Sequence, residues 1–344
     1  MYTGEKMERY YYNQLNKAQQ YTYHAIKTGL ESLAPSFLIP RLEQKELADV
    51  YMMVRLDHPE IFYSVNFRYR YYKDSGNAEM IPDYLFDKKK IQEHQKAMRA
   101  RVEKLARSAM KMTELEKLQY VHDFICQNVK YDKLKKPYSH EIIGPLGQGV
   151  GVCEGIAKSV KILCDALGIW CMIALSENNP EKGIKYRHAW NVVRVDGKYY
   201  HLDATFDNSL GKNEQIRYDY FRLSDKQIYK DHEPVIWKTP ACEDSEHFYY
   251  KEKKLSFTKM EDVRKRSAQA VKKGKELLFH WRGGYLTREV LNDILQIFDE
   301  EAKKKEKYPK VSLNWAQAVI HVKFEKEVPE EEVELEEANE GEVQ

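Results

Sequence analysis

The sequence predicts an α+β protein with a cysteine-bearing helix and an antiparallel hairpin in its central part and an α/β unit on either side. Residues 153–167 carry apolar side chains at the 3–4 spacing of an amphipathic helix. Two alternating runs, 187–195 and 198–205, flank Asp196-Gly197, a strong signal for a hairpin with a type I′ turn. Helical and strand patterns also lie before residue 106 and after residue 253, and they predict the two flanking units.

The first predicted unit covers residues 1–106. Its strand is rich in aromatic and β-branched residues, and its turn reads Asp-Ser-Gly-Asn. We interpret its many tyrosines as core and cross-strand packing. The expected elements are a helix over 8–34, a helix over 43–56, a strand over 61–73, a turn at 74–77 and a helix over 87–109.

The predicted central domain covers residues 107–252. Thr113 and Glu116 have the spacing of a capping box, which opens a helix over 113–130. A loop rich in glycine and proline follows over 132–151, and the cysteine-bearing helix then ends at Gly168, a typical residue after a helix end. A strand over 169–175 and the hairpin complete the expected sheet.

The predicted C-terminal unit covers residues 253–324, with helices over 260–279 and 287–306 and a closing strand over 318–324. Residues 325–344 contain ten glutamates and one lysine, so they carry −9 and are expected to form a disordered acidic tail. Because the whole chain carries +2, the remaining residues carry +11.

Composition narrows the classes of function. The basic residues are scattered along the chain, which argues against a nucleic-acid partner. There is no apolar run of about 18 residues and no apolar signal region, so we expect no membrane partner and a cytoplasmic location, unless a signal was trimmed. Five cysteines without a Cys-x-x-Cys pair predict neither disulfides nor zinc. No metal or cofactor is expected, and the oligomeric state stays open.

The hairpin places polar side chains on one face. With Asp196-Gly197 as the loop, paired positions put Trp190 opposite Asp203 and His188 opposite Thr205. His201 shares that face, because side chains two residues apart point to the same side of a strand. His188 and Asp203 are diagonal neighbours within side-chain reach. A carboxylate beside an imidazole fixes its tautomer and raises its basicity, as an activated nucleophile requires.

Cys153 is the candidate nucleophile. It lies at the first turn of its helix, after a glycine-rich loop and before the apolar face begins. A helix N-terminus favours the thiolate and offers backbone N–H groups to an oxyanion. A cysteine at a helix start is more often plain packing, and a lone strand histidine is more often a core residue. The order Cys153, His188, Asp203 favours a catalytic triad.

Other polar residues have simpler interpretations. We expect Cys164 and Cys171 to lie in the core and His201 to be a surface or hydrogen-bonded residue. Asp207 and Asn208 are expected to cap the turn after the strand. A metal cluster of His201, Asp203 and Asp207 is not favoured, because Asp203 would then have two competing roles and a further ligand is missing.

Three motifs resemble those of the bacterial transglutaminase-like superfamily. They are Gly-x-Cys-x-Gly-x-Ala at 151–157, His-Ala-Trp-Asn at 188–191 and Tyr-x-Leu-Asp-Ala-Thr-Phe-Asp at 200–207, in the family's order. The similarity covers roughly residues 110–235. Phe206 stands where the family usually has tryptophan. The flanking regions resemble those of Firmicute-type members.

The resemblance implies a papain-like core, in which the cysteine-bearing helix packs on an antiparallel sheet that delivers His188 and Asp203. Cys153 would be the nucleophile, His188 the general base and acid, and Asp203 the orienting carboxylate. The Cys153 backbone N–H would hold the oxyanion, with Gln148 or Tyr131 as candidate second donors. Trp190 is interpreted either as a wall of the site or as core packing.

The expected activity is thiol-dependent acyl transfer on a peptide or protein amide, with hydrolysis by a cysteine peptidase or amidase mechanism as the leading hypothesis. Cross-linking to an amine, as in a transglutaminase, would use the same residues. A non-catalytic scaffold that keeps the fold is the remaining alternative.

Overall fold

The structure, a computed structural model, describes residues 9–73, 75–211 and 215–326 and divides into two compact units. The first holds Met1–Asn178, Tyr186–Arg217 and Pro234–Cys242, and the second holds Asn179–Lys185, Tyr218–Glu233 and Glu243–Gln344. The domain boundaries expected at 106/107 and 252/253 stay a prediction. The tail predicted beyond residue 324 lies outside the described residues from position 327 onward, as does the first residue of the predicted turn at 74–77.

The first unit contains seven α-helices and eight strands among its described residues. The helices are α1 (Tyr10–Gln14), α2 (Lys17–Glu31), α3 (Gln44–Asp57), α4 (Lys88–Ala109), α5 (Glu114–Asn128), α6 (Cys153–Leu167) and α7 (Ala204–Gly211). The strands are β1 (Phe37–Pro40), β2 (Ser64–Tyr71), β3 (Asn77–Tyr84), β4 (Lys130–Tyr131), β5 (Val150–Gly151), β6 (Cys171–Ser176), β7 (His188–Val195) and β8 (Lys198–Leu202). A 3-10 helix (Pro137–His140) and a π-helix (Ile143–Gln148) lie between β4 and β5.

The N-terminal elements differ from the sequence prediction in two places. The single helix expected over 8–34 is two helices, because Asn16 leaves the helix and caps α2 in a capping box with Gln19. β3 was missed, although it is the central strand of the β1-β3-β2 sheet. β3 contains Pro82, which lacks an N–H to donate to a neighbouring strand. Because β1 pairs only with Asn77 to Met80 of β3, Pro82 has a partner strand, β2, on one side only.

The central elements form a helix-on-sheet core, and the mixed α+β fold is confirmed. α6 begins at Cys153 and ends before Gly168, whose φ is +77°. β7 lies between β6 and β8 with antiparallel pairing, and Val195 pairs with Lys198 as the hairpin register requires. β8 is shorter than the strand predicted over 198–205: it ends at Leu202, and the helix α7 follows.

The second unit is a helix-and-sheet layer with its own core. Its elements are β9 (Phe221–Leu223), α8 (Asp225–Ile228), α9 (Tyr249–Glu252), β10 (Ser256–Phe257), α10 (Met260–Lys273), β11 (Leu277–Trp281), α11 (Arg288–Lys303), β12 (Tyr308–Asn314) and β13 (Val319–Glu325). Four strands run in the order β10-β11-β13-β12, and the core of the unit holds Phe279 of β11, Ile320 of β13 and Phe298 of α11, all fully buried. The helix predicted over 260–279 stops at Lys273, because Gly274 takes a left-handed conformation and β11 begins.

Within the part of the chain that the structure describes, none of the helices combines the length and the apolar character needed to cross a lipid bilayer.

Candidate active site

Cys153 occupies the first position of α6. Its preceding residue, Val152, is extended and provides no side-chain cap to the helix. The N–H groups of a first helical turn have no partner within the helix, so they and the positive end of the helix dipole face whatever lies beside the thiol. Cys153 is partly exposed, whereas the other four cysteines, Cys164 and Cys171 among them, are buried.

A tight approach of backbone to backbone fixes the start of α6. Val152 N–H donates to the Ser139 carbonyl at 3.0 Å. A Cβ placed on Gly155 would lie 2.2 Å from that same Ser139 oxygen, closer than atoms can approach. The glycine two residues after Cys153 is therefore required for this contact, which gives the Gly-x-Cys-x-Gly pattern a physical reason.

His188 and Asp203 meet as the hairpin pattern predicted. His188 Nε2 lies 2.5 Å from Asp203 Oδ2, and the His188 side chain is 16% exposed while that of Asp203 is 1% exposed. His188 begins β7. Asp203 follows the end of β8, and its Oδ1 accepts hydrogen bonds from the N–H groups of Thr205 at 2.8 Å and Phe206 at 3.0 Å.

These bonds make Asp203 the N-terminal cap of α7, and they explain why β8 ends early. The expected pairing of Thr205 opposite His188 is wrong, because Thr205 has turned into α7. The carboxylate is thus held by two backbone donors and aimed at the imidazole. Backbone N–H donors favour the ionised form of a carboxyl group.

The electrostatic surroundings keep His188 protonated. Burial alone would lower the pKa of His188, but the charge of Asp203 and hydrogen bonds with Asp203 and Cys153 raise it to about 10. The Cys153 thiol is therefore near enough to the imidazole to contribute to its raised pKa. A thiol beside an imidazolium at a helix N-terminus is the arrangement of an activated cysteine.

Aromatic rings hold the imidazole in its plane. The Trp190 ring stacks on His188 with 5.8 Å between centroids and 18° between planes, and the Phe206 ring lies 4.9 Å away. Trp190 is 1% exposed, so it both packs in the core and forms one wall beside the imidazole. Phe206 keeps an aromatic ring at the position where tryptophan is usual in the family.

His201 is buried, so its interpretation as a surface residue is wrong and the hydrogen-bonded alternative is the one observed. Trp190 Nε1 donates to His201 Nδ1 at 2.9 Å. Because an indole N–H can only donate, that Nδ1 must be unprotonated.

Asp207 and Asn208 do not cap the turn after the strand. Both lie in α7: Asp207 is 3.0 Å from His122, and Asn208 donates to the Val129 carbonyl at 2.8 Å.

The two candidate oxyanion donors are placed differently. Tyr131 ends β4 and pairs with Gly151, two residues before Cys153. Burial raises the pKa of the Tyr131 hydroxyl, and the nearby Cys153 and Asp203 raise it further, so this phenol stays protonated. Gln148 is exposed at the end of the π-helix. Of the two, the electrostatic coupling with Cys153 favours Tyr131.

Two supporting features were not foreseen from the sequence. Asn191 Nδ2 donates to the Ala157 carbonyl at 3.0 Å, which ties the histidine strand to the cysteine helix. The signal available in the sequence for this contact was Asn191 itself, a polar residue at a core-facing position of the His-Ala-Trp-Asn motif.

The second feature is a buried ionic network behind α6. Lys158 Nζ lies 2.7 Å from Glu154 and 2.8 Å from Glu141, and Arg55 pairs with both glutamates. Lys158 Nζ and Arg55 are almost completely buried. The two positive and two negative charges of this network thus balance. One of the four side chains, Glu154, directly follows Cys153 in α6. The sequence offers no local signal for Arg55, which comes from α3.

Comparison with models of known families matches residues 99–204 to the core of the transglutaminase-like superfamily. The matched segment includes all three residues of the cysteine, histidine and aspartate cluster. Residues 99–204 therefore resemble a transglutaminase-like core. The resemblance seen in the motifs is thereby confirmed, and comparison with curated proteins gave no significant match.

Solved structures similar to this chain include a TGase, with 14% identity over 41% of this chain and 44% of that one, at a TM-score of 0.27. A protein described as a "putative cysteine protease" from Cytophaga hutchinsonii has 17% identity over 41% and 62% of the two chains, at 0.27. A "putative protease" from Parabacteroides distasonis has 16% identity over 42% and 37%, at 0.26. The chain spans less than two thirds of each of these proteins.

Proposed function

We propose that the protein catalyses thiol-dependent acyl transfer on peptide or protein amides through a Cys153 thioester, with water as the acceptor. The observation that carries this proposal is His188, which is hydrogen-bonded to Asp203 and whose pKa is raised by both Asp203 and Cys153. The transglutaminase-like core supports a reaction of this class.

The chemistry proceeds in two halves. The Cys153 thiolate attacks the amide carbonyl, and the N–H of Cys153 and the hydroxyl of Tyr131 stabilise the resulting oxyanion. His188 gives its proton to the leaving nitrogen, the C–N bond breaks, and an amine departs from the thioester. Water then attacks the thioester while His188 takes a proton, which releases a carboxylic acid and restores the thiolate–imidazolium pair.

Cross-linking would follow the same first half, with an amine in place of water in the second. Assays that contain an amine acceptor distinguish the two reactions. Hydrolysis gives a carboxylic acid, whereas transfer gives an amide of the added amine.

The first test is the pH dependence of Cys153 alkylation by iodoacetamide. An imidazolium beside the thiol should make the reaction fast well below the usual thiol range of about pH 8.5. His188→Ala should slow it in that range, and Cys153→Ser should remove the label altogether. An ordinary thiol profile that the histidine substitution leaves unchanged would favour a scaffold protein without turnover.

A panel of peptide and glutamine-amide substrates then tests turnover itself. Activity that disappears in Cys153→Ser would support acyl transfer, whereas a panel without any Cys153-dependent product would contradict the proposed function.

A further inference from the structure

The segment 130–139 borders the N-terminal end of the cysteine helix. Its first residues pair with the strand that leads to Cys153, where Asp132 N–H donates to the Gly151 carbonyl at 3.0 Å. Its last residue, Ser139, accepts from Val152 N–H at 3.0 Å. Both ends of the segment are therefore bound to the two residues just before Cys153.

Asp132 holds this segment in a defined shape. The carboxylate is buried, and it accepts hydrogen bonds from the Leu134 N–H at 3.0 Å and from the Lys136 N–H at 3.1 Å. A third bond, from the Ser139 hydroxyl at 2.5 Å, closes the loop on itself. Residues 133–138 are thus presented on an ordered scaffold, as a recognition loop requires.

The same loop reaches the histidine side of the site. Lys135 Nζ lies 3.5 Å from the centroid of the Tyr186 ring, a close cation–π contact. Tyr186 precedes His188 by two residues. The loop therefore spans from the segment that delivers Cys153 to the segment that delivers His188, and it bounds one side of the candidate active site.

The surface of this border is apolar and basic. Leu134 is 76% exposed and Tyr186 is 52% exposed, so both side chains are accessible to a ligand. Lys133 and Lys136 are exposed beside them, and neither forms an ion pair with a residue in the described ranges. We call Lys133, Leu134, Lys135, Lys136 and Tyr186 the basic rim.

Acidic groups also lie around the basic rim. Glu177 accepts two hydrogen bonds from Arg187, at 2.8 and 2.9 Å. Asp203 is paired with His188. Asp132 accepts only from neutral N–H and O–H donors of its own loop, so it keeps its negative charge beside Lys136. Three lysines beside this one carboxylate still leave the basic rim positive towards an incoming ligand.

We propose that the basic rim is a substrate-binding subsite for acidic peptides. The bound acyl donor places an apolar side chain against Leu134 and Tyr186, and an Asp or Glu next to it faces Lys133 and Lys136. This inference rests on the proposed acyl transfer and names the substrate class for that site. Lysine charges beside a cleft raise the local concentration of an anionic ligand, and added salt weakens the effect.

The decisive experiment compares two alkylating reagents of similar size, anionic iodoacetate and neutral iodoacetamide, on Cys153. The ratio of their rate constants reports the field at the thiol and needs no turnover. Lys133→Glu/Lys136→Glu should lower the ratio several-fold while leaving the iodoacetamide rate nearly unchanged. Lys96→Glu/Lys104→Glu, the same charge change on exposed residues of α4, is the matched control and should leave the ratio close to that of the wild type.

An equal ratio in the rim variant and the wild type, or an equal drop in the α4 control, would overturn the proposal. Thermal unfolding of each variant verifies that the fold is kept.

A peptide panel then tests the substrate subsite separately from the acyl-transfer activity itself. Leu-Glu peptides should have a kcat/KM several-fold above that of matched Leu-Gln peptides, and the rim variant should reverse this preference. Turnover that depends on Cys153 but ignores the acidic residue would refute the subsite and leave the proposed function standing. If no peptide is turned over, the proposed function fails, and the reagent ratio still decides whether the rim favours anions.

Discussion

At the scale of single residues, Asp203 is the group on which the state of His188 depends. Asp203→Asn keeps the shape and still accepts from the Thr205 and Phe206 N–H groups, but it removes the charge that raises the pKa of His188. The imidazole should then lose its proton at a lower pH, and the pair with Cys153 should weaken. We expect kcat/KM to fall by roughly 10²- to 10⁴-fold, the usual contribution of general acid–base catalysis.

Alkylation of Cys153 across pH 5 to 10 measures the same effect without a substrate. The Asp203→Asn profile should lose the fast reaction at low pH, while its circular dichroism spectrum stays native. A profile that matches the wild type would mean that Asp203 does not control the imidazole.

At the scale of elements, the start of α6 depends on its approach to Ser139. Gly155→Ala would place a methyl group 2.2 Å from a backbone oxygen that cannot rotate away. We expect a loss of about 1–3 kcal/mol in unfolding free energy, as for overpacking in a core, together with lower activity. Gly211→Ala is the matched control, because it also lies in a helix and its nearest neighbour would be Arg217 Cγ at 3.9 Å. Urea unfolding of both variants should show a loss for Gly155→Ala alone.

α5 and α7 are joined by a buried charge pair. Burial alone would lower the pKa of His122, but Cys126, Asp123 and Asp207 raise it well above the usual range, so His122 stays protonated. Asp207→Asn leaves that buried charge without its partner 3.0 Å away, and breaking such a pair costs about 3–5 kcal/mol.

Asp123→Asn removes a carboxylate at the same distance from His122, but Asp123 is 25% exposed and water can replace it in part. The melting temperature should therefore fall much further for Asp207→Asn. An equal fall in melting temperature for the two variants would show that the burial of Asp207 does not strengthen its pairing with His122.

Local sequence signals predicted the elements that carry Cys153 and His188. The capping box at Thr113, the stop at Gly168 and the Asp196-Gly197 turn each act through neighbouring residues, so they are visible in a short window. The end of β8 was missed for a different reason. The apolar–polar alternation continues through Ala204, and it outweighed the local signal of Asp203, whose carboxylate accepts from the Thr205 and Phe206 N–H groups at the start of α7.

The second unit shows the same limit. β11 was read as the end of a helix, because a short apolar run such as Leu277–Trp281 has no clear period and only pairing with β13 identifies it as a strand. Residues that support the site from distant segments, such as Arg55 beside Glu154, leave no pattern near Cys153.

At the scale of the whole molecule, histidines in the two units link stability to pH in opposite directions. The pKa of His188 in the first unit is raised to about 10, so the folded form binds a proton more tightly than the unfolded chain, where the value is about 6.5. Its contribution is complete below about pH 6.5 and is lost as pH rises through 10. In the second unit, burial and then Lys230, Lys251 and Arg282 lower the pKa of His280 to about 4. The unfolded chain therefore takes up that proton first, and stability is lost as pH falls from about 6.5 towards 4.

Hydrogen exchange read separately on peptides from β7 and β11 should reveal these two responses. Protection of β7 should decrease between pH 7 and 10, by an amount on the order of a few kcal/mol, after correction for the intrinsic exchange rate. His188→Ala should reduce that decrease and leave the acid response of β11 in place. Part of the decrease should remain, because His122 in the same unit also has a raised pKa. His280→Ala should remove the acid response of β11, because it removes the group that must stay neutral beside three cations. If His188→Ala left the basic-side loss undiminished, His122 or another group would control it, and the raised pKa of His188 would have no part in holding the first unit together.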